Sequence, residues 1–190
     1  ENKYIRFINK WLLDEKKRTY DLFEFEPYNK EGPSKCTNKF NKFVPFSFTK
    51  EYVEPDMDFI EKYVNTLIYN LCGGEKDAYE YLLKYIASLL QYPSVQCEQS
   101  VVMLGKEGVG KDQLTHLIEC MLDNQNYSTK TSDVDLLFGS FNSEAEHKIM
   151  IQLNEASNSS AVEYLEKFKD KTTAKYILIN PKGVTPYKTK

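Results

Sequence analysis

Apolar positions along the chain follow helical spacing in its first half and short runs in its second. Asp56 to Leu71 carries Ile60, Val64, Leu67, Ile68 and Leu71 on one helical face, and Gly73-Gly74 follows as a stop. Asp77 to Leu90 carries Ala78, Leu82, Tyr85, Ile86 and Leu89, with Pro93 just beyond. The two glycines between them predict an antiparallel helical hairpin. Nearer the N-terminus, Asn2 to Lys17 reads as an amphipathic helix through Tyr4, Ile5, Ile8, Trp11 and Leu12. Tyr20 to Phe25 is short, aromatic and strand-like, and Pro27 ends it. Tyr28 to Phe48 is irregular, with Gly32, Pro33 and Pro45 among Asn and Lys. It holds Phe40, Phe43, Phe46 and Phe48, which predicts packing onto a core; stacking on nucleic-acid bases is the alternative use of aromatics among lysines.

The second half alternates. Val101 to Leu104 predicts a buried strand, and a helix follows with Leu114, Leu117, Ile118 and Met121 on one face. Asn124 to Ser132 is polar and loop-like, and Asp133 to Phe138 reads as a short helix begun by Ser132. Gly139 to Asn142 is a turn, and Ser143 to His147 a short helical or turn segment. Ile149 to Leu153 is a second buried strand, Ala161 to Lys169 a helix, and Tyr176 to Ile179 a third strand before the turn Pro181-Lys182-Gly183. Strands alternating with helices predict a three-layer α/β fold with a mainly parallel sheet. The expected divisions are 1–54, an N-terminal helix, strand and irregular region; 55–98, the helical hairpin; and 99–190, the α/β core.

Bulk properties narrow the class. The 190 residues include 41% hydrophobic and 14% aromatic positions, enough for a sizeable core. No apolar run approaches the ~18 residues of a membrane span, and no signal-peptide pattern opens the chain. Cys36, Cys72, Cys97 and Cys120 lie far apart, which argues against zinc and against a disulfide framework. Net charge is −3, so there is no global nucleic-acid signature. Charge is uneven, however: from Ala161 to Lys190 seven lysines face three acids. The chain opens at Glu1 and stops at Lys190 without a closing signal, and reads as a piece of something longer.

The chemistry centres on Gly105-Lys106-Glu107-Gly108-Val109-Gly110-Lys111-Asp112. A strand, a glycine turn, a lysine and a helix match the phosphate-binding loop, whose template is G-x-x-x-x-G-K-[ST]. In such a loop, backbone N–H groups converge on phosphate oxygens and the helix N-terminus adds partial positive charge. Gly105, Glu107, Gly108, Val109, Gly110, Lys111, Asp112 and Gln113 are therefore the candidate nucleotide contacts, with Lys111 reaching the β- and γ-phosphates of ATP. Asp112 stands where a hydroxyl normally binds Mg²⁺. A plain glycine-rich turn with an ordinary first-turn acid is the alternative reading.

Hydrolysis also needs an acid at the tip of a neighbouring strand. Ile149 to Leu153 ends in Asn154-Glu155, at the edge where ligands bind in open α/β sheets. Glu155 is the candidate for activating water, against a capping or solvent-facing role. Asn154 sits where a metal-holding Asp is common. An amide lacks that charge and Asp112 could supply it, so Asp112, Asn154 and Glu155 form the candidate Mg²⁺ set.

The order of these parts resembles the ATPase domain of viral and phage primase–helicases of helicase superfamily 3. It rests on the glycine loop with Asp after its lysine, Leu137-Phe138-Gly139-Ser140-Phe141-Asn142, the strand ending in Asn154-Glu155, Phe168 to Thr173, and Tyr176 to Tyr187. The match is strongest from Leu82 onward. It implies an AAA+-like P-loop core, ATP and Mg²⁺ as cofactors, and a homo-oligomeric ring, usually a hexamer, with single-stranded DNA in its channel. It further implies an intracellular place of work, in the host cytoplasm or nucleus if viral, and no membrane. By position, Lys111 and Asp112 hold phosphate and metal and Glu155 is the Walker B acid. The segment from Lys167 to Lys188 corresponds to the DNA-facing region, making Lys169, Lys171, Lys175 and Lys182 candidate DNA contacts; a solvated surface is the other reading. The motif ending in a sensor Asn is expected after Lys190. Arg6 and Arg18 are the only arginines, so no arginine finger follows the loop. The expectation is a chain that binds nucleotide but hydrolyses and unwinds poorly alone. A P-loop nucleotide kinase is the alternative enzyme, disfavoured because such kinases clamp phosphates with several arginines. A non-hydrolysing nucleotide-binding assembly module is the alternative without turnover.

Overall fold

The computed structural model describes residues 7–28, 38–123, 126–154, 169–174 and 176–189. Its elements are mixed α/β. Helix α1 (Phe7–Leu13) is followed by strands β1 (Leu22–Glu24) and β2 (Lys39–Asn41), which pair in parallel. A helical segment comes next, with α2 (Met57–Phe59), a π-helical stretch Ile60–Asn65, and α3 (Thr66–Leu71). Asp56 caps its start by accepting the Phe59 N–H. Gly73 and Gly74, at φ 66° and 80°, turn the chain into α4 (Lys76–Gln91), which packs on α3. The predicted helical hairpin is thus present, with a π stretch that apolar spacing does not reveal.

Helix α5 (Lys111–Met121) begins at the glycine loop. Strand β3 (Ser128–Thr131) pairs in parallel with β4 (Met150–Leu153), and between them lies α6 (Asp135–Phe138). Strands β5 (Ile177–Ile179) and β6 (Tyr187–Thr189) form an antiparallel hairpin, with Gly183 at φ 78° in the turn predicted there.

One hydrophobic core joins all three expected divisions. Phe25, Phe43 and Phe46 from the N-terminal region meet Ile68, Leu82, Ile86 and Leu89 of the helical hairpin, and Leu114, Ile118 and Leu122 around α5. Tyr127 is the hinge of the aromatic part. Its ring contacts Phe25, Phe43 and Phe46, and its hydroxyl both donates to the Val44 carbonyl and accepts the Val44 N–H, each at 2.8 Å. Asp123, at φ 53° just past α5, accepts the Ser47 N–H at 3.0 Å and fastens the Ser47–Thr49 turn to that helix end.

Four sequence expectations are corrected here. First, Val101 to Leu104 forms no strand, and Val102 and Leu104 are 77% and 92% exposed. An apolar run becomes a strand only where another backbone supplies its hydrogen bonds, and β4 pairs with β3 instead. Second, β3 lies inside the segment read as a loop. Third, the described strands pair only in twos, as three two-stranded sheets rather than one mainly parallel sheet. Fourth, the described part of the N-terminal helix is seven residues long and buries none of them; Ile8, Trp11 and Leu12 are exposed. The helix expected over Ala161 to Lys169 lies almost wholly outside the described residues. Among the described residues no helix is long and apolar enough to cross a membrane.

Candidate nucleotide-binding site

Gly110 starts α5 at φ 98°, a left-handed conformation that side-chain-bearing residues rarely adopt. A Cβ placed there would also stand 2.7 Å from Leu67 Cδ1 of α3, so the loop leans directly on the helical hairpin. From Gly110 the chain turns into eleven helical residues, with Leu114 and Ile118 anchored in the core. The start of α5 is therefore held from beneath. Helical bonding begins with Gln113 and Leu114 donating to the Gly110 carbonyl, and the N–H groups ahead of them favour an anion.

Lys111 curls back over the loop. Its ammonium donates to the carbonyls of Gly105 and Lys106, both at 2.8 Å. The loop is thereby closed around its own lysine. Gly108 is also left-handed, at φ 76°. Glu107, Val109 and Gln113, three further candidate contacts, are exposed around this turn.

Asp112 points away from the core, with its side chain 76% exposed, and pairs with Lys130 of β3 at 3.1 Å. In the parallel register Lys130 stands beside Gln152 of β4, and the Thr131 carbonyl accepts the Asn154 N–H at 2.9 Å. Residues two apart in a strand share a face, so Lys130, Gln152 and Asn154 lie on one side of the pair. The Gln152 amide donates to Asn154 Oδ1 at 2.7 Å. Gln152 Oε1 is buried and has no hydrogen-bond partner among the described residues. Asp112 thus pairs with β3, the strand whose Thr131 carbonyl holds Asn154 at the end of β4. Glu155 lies outside the described residues. Among the described residues, no three His, Cys, Asp or Glu side chains cluster in a way that could hold a metal.

The lysines expected to contact DNA fare differently. Lys182 is exposed in the β5–β6 turn and Lys169 is exposed nearer α6 in sequence order; Lys175 is outside the described residues. Lys171 turns inward: its ammonium donates to the Leu137 carbonyl and sits 5.0 Å from the Phe138 ring centre. Burial pushes its amine pKa down. Its charge is engaged within the fold rather than offered to solvent. The Leu137 to Asn142 motif is likewise structural. Asn142 is buried, donates to the Leu178 carbonyl and accepts the Asn180 N–H, each at 2.9 Å. An open depression of about 620 Å³ runs along Asp135 to Phe141.

Comparison with known proteins adds a fold-level context. A family of unknown function, DUF5906, matches residues 103–190, somewhat less than half of the chain. No curated protein matches. Among solved structures, an apo form of the NrS-1 C-terminal region (305–718) is similar at 21% identity with a TM-score of 0.70. Two further apo structures of that region match at 21% and 22% identity, with TM-scores of 0.69 and 0.65. Each covers 88% of this chain, whereas this chain spans 39–40% of the NrS-1 region. At such identity the likeness speaks for the fold.

Two residues of this site escape sequence reasoning. Lys130 sits in Ser128-Thr129-Lys130-Thr131, whose threonines favour a strand although the surrounding polarity suggests a loop. Gln152 is the one polar residue inside Ile149 to Leu153, a signal that something there calls for an amide.

Proposed function

We propose that this chain is the ATP-binding segment of a ring-forming DNA helicase of the primase–helicase type. The observation that carries this reading is Lys111 at the foot of α5, enclosed by the Gly105 and Lys106 carbonyls beyond a left-handed Gly110. A plain turn has no need of this combination. The helix start favours phosphate, and the Lys111 ammonium is free to exchange two neutral carbonyls for charged phosphate oxygens, a stronger partner.

The residues present also fit Mg²⁺. Asp112 supplies carboxylate oxygens and Asn154 an amide oxygen, and the Gln152 side chain that donates to Asn154 carries an orphaned buried acceptor, Oε1. Hard oxygen donors of this kind suit Mg²⁺. When bound, the ion would neutralise phosphate charge. Lys111 holds the phosphates, and the first turn of α5 orients them. Glu155, next in sequence after Asn154, takes a proton from the attacking water. The core is read as the P-loop, AAA+-like type, with single-stranded DNA and further copies of the chain as partners. The exposed Lys182 at the hairpin turn contacts the DNA backbone, with Lys169 and Lys175 assisting. Lys171 is left out of that set because its ammonium is turned inward.

The test is equilibrium binding of a fluorescent ATP analogue with Mg²⁺, comparing the wild-type chain with Lys111→Met. A loss of at least about tenfold, the weight of one charge-assisted contact, is expected. Equal binding by both would overturn the nucleotide reading. DNA-stimulated ATP hydrolysis by a longer chain would then separate a motor from a kinase or a non-hydrolysing module.

A further inference from the structure

Lys130 has no role in the glycine-loop template, yet its ammonium is the one cation within reach of the Asp112 carboxylate among the described ion pairs. Resting on the nucleotide reading above, we propose that Lys130 is a built-in counter-cation of the divalent-metal position, one that a metal ion must displace from Asp112.

Three observations converge on it. Lys130 Nζ lies 3.1 Å from Asp112 Oδ1, so it takes an oxygen that a metal would use. It stands in register with Gln152, whose Oε1 is a buried acceptor without a partner, and on the face that carries Asn154. Its strand thus runs beside the strand that leads into Asn154, the other candidate metal ligand. The pair is also exposed, with side chains 39% and 76% accessible. Exposed ion pairs are weak, so the lysine is displaceable rather than a permanent plug.

The chemistry gives the direction of the effect. Two cations cannot share one carboxylate oxygen without repulsion, and Lys130 lowers metal affinity in proportion to that repulsion. Once displaced, its charge stays within a side chain's length of Asp112. Metal entry and lysine release are thus one exchange. Nucleotide, which brings its own negative charge, favours the exchange by giving the released ammonium a new partner.

The experiment measures binding, not turnover. A fluorescent ATP analogue is titrated with Mg²⁺ on the full chain, and the half-saturating Mg²⁺ concentration is read. For Lys130→Met it is expected to fall about three- to tenfold, as for removal of one like charge at a solvent-facing site. Lys130→Arg should restore the wild-type value, and the difference should shrink at about 0.5 M NaCl because exposed charges are screened. A half-saturating value for Lys130→Met equal to or above wild type, with circular dichroism unchanged, would overturn the proposal. If Lys111→Met abolishes binding while Lys130→Met matches wild type, only the role of Lys130 fails. If neither wild type nor Lys111→Met binds the analogue, the nucleotide reading fails and takes this one with it.

Discussion

Phe43 and Phe46 in the N-terminal region, and Val102 and Leu104 ahead of the glycine loop, are all apolar and meet opposite fates. Phe46 is fully buried, ringed by Tyr28, Phe43, Phe48 and Tyr127. Leu104 is 92% exposed, seven residues before the start of a helix whose own apolar face is in the core. The phenylalanines lie in an irregular stretch that predicts no regular element, and yet they are anchored. The valine and leucine lie in the stretch that reads as the clearest strand, and yet they find no backbone partner. Burial follows from what stands opposite a residue, and regular patterning does not guarantee it.

Breaking the packed side should cost most. Phe46→Ala removes a ring from full burial and is expected to destabilise the fold by about 3–5 kcal/mol, read from chemical denaturation. A change below about 1 kcal/mol would mean that the aromatic layer is not what holds the N-terminal region to α5. The next effect lies where the glycine loop meets the helical hairpin, at Gly110. Gly110→Ala combines a positive φ with a close approach to Leu67 and should cost about 1–3 kcal/mol. Leu67→Ala should relieve the approach but not the φ, so in its background Gly110→Ala should cost less than in the wild-type chain, but not nothing, by chemical denaturation.

A pH prediction sharpens the packed side further. The His147 ring stacks on Phe25, with centroids 4.6 Å apart, and its Nε2 lies 3.3 Å from Glu146 Oε1. Burial pushes the His147 pKa down; the Glu146 charge opposes this, and Lys42 and Lys148 add to it. With the folded value below the unfolded value of about 6.5, the unfolded chain takes up the proton first as pH falls. Stability should therefore be intact above pH 6.5 and decline as pH drops through the folded value. His147→Gln should flatten that decline, as measured by urea midpoints across the range. The smallest effect belongs to the exposed side: Leu104→Ser should change stability by no more than about 0.5 kcal/mol. A loss of several kcal/mol would show that this run is covered after all.

The sequence is most legible where structure is local. Helix α4, the glycine stop at Gly73-Gly74, the start of α5 at Gly110-Lys111 and the turn at Gly183 all follow from spacing and backbone preference. Pairings between distant segments do not. Lys39–Asn41 joins Leu22–Glu24 across a long intervening stretch, and Ser128–Thr131 becomes a strand because β4 lies beside it. The same limit explains the site. Lys111 and Asp112 are visible because the glycine loop is a contiguous motif, whereas Lys130 reaches Asp112 only through the fold. Lys171 shows the converse, since its place in a lysine-rich tail hides the Leu137 carbonyl that receives it.

Asn142 holds both the Leu178 carbonyl and the Asn180 N–H, while the Asn180 amide reaches the Ser140 carbonyl at 2.5 Å. These three bonds bolt the root of the β5–β6 hairpin to the Gly139–Asn142 turn. The hairpin is accordingly a stiff lever rather than a loose arm: a pull at Lys182 would be carried to the turn that closes α6.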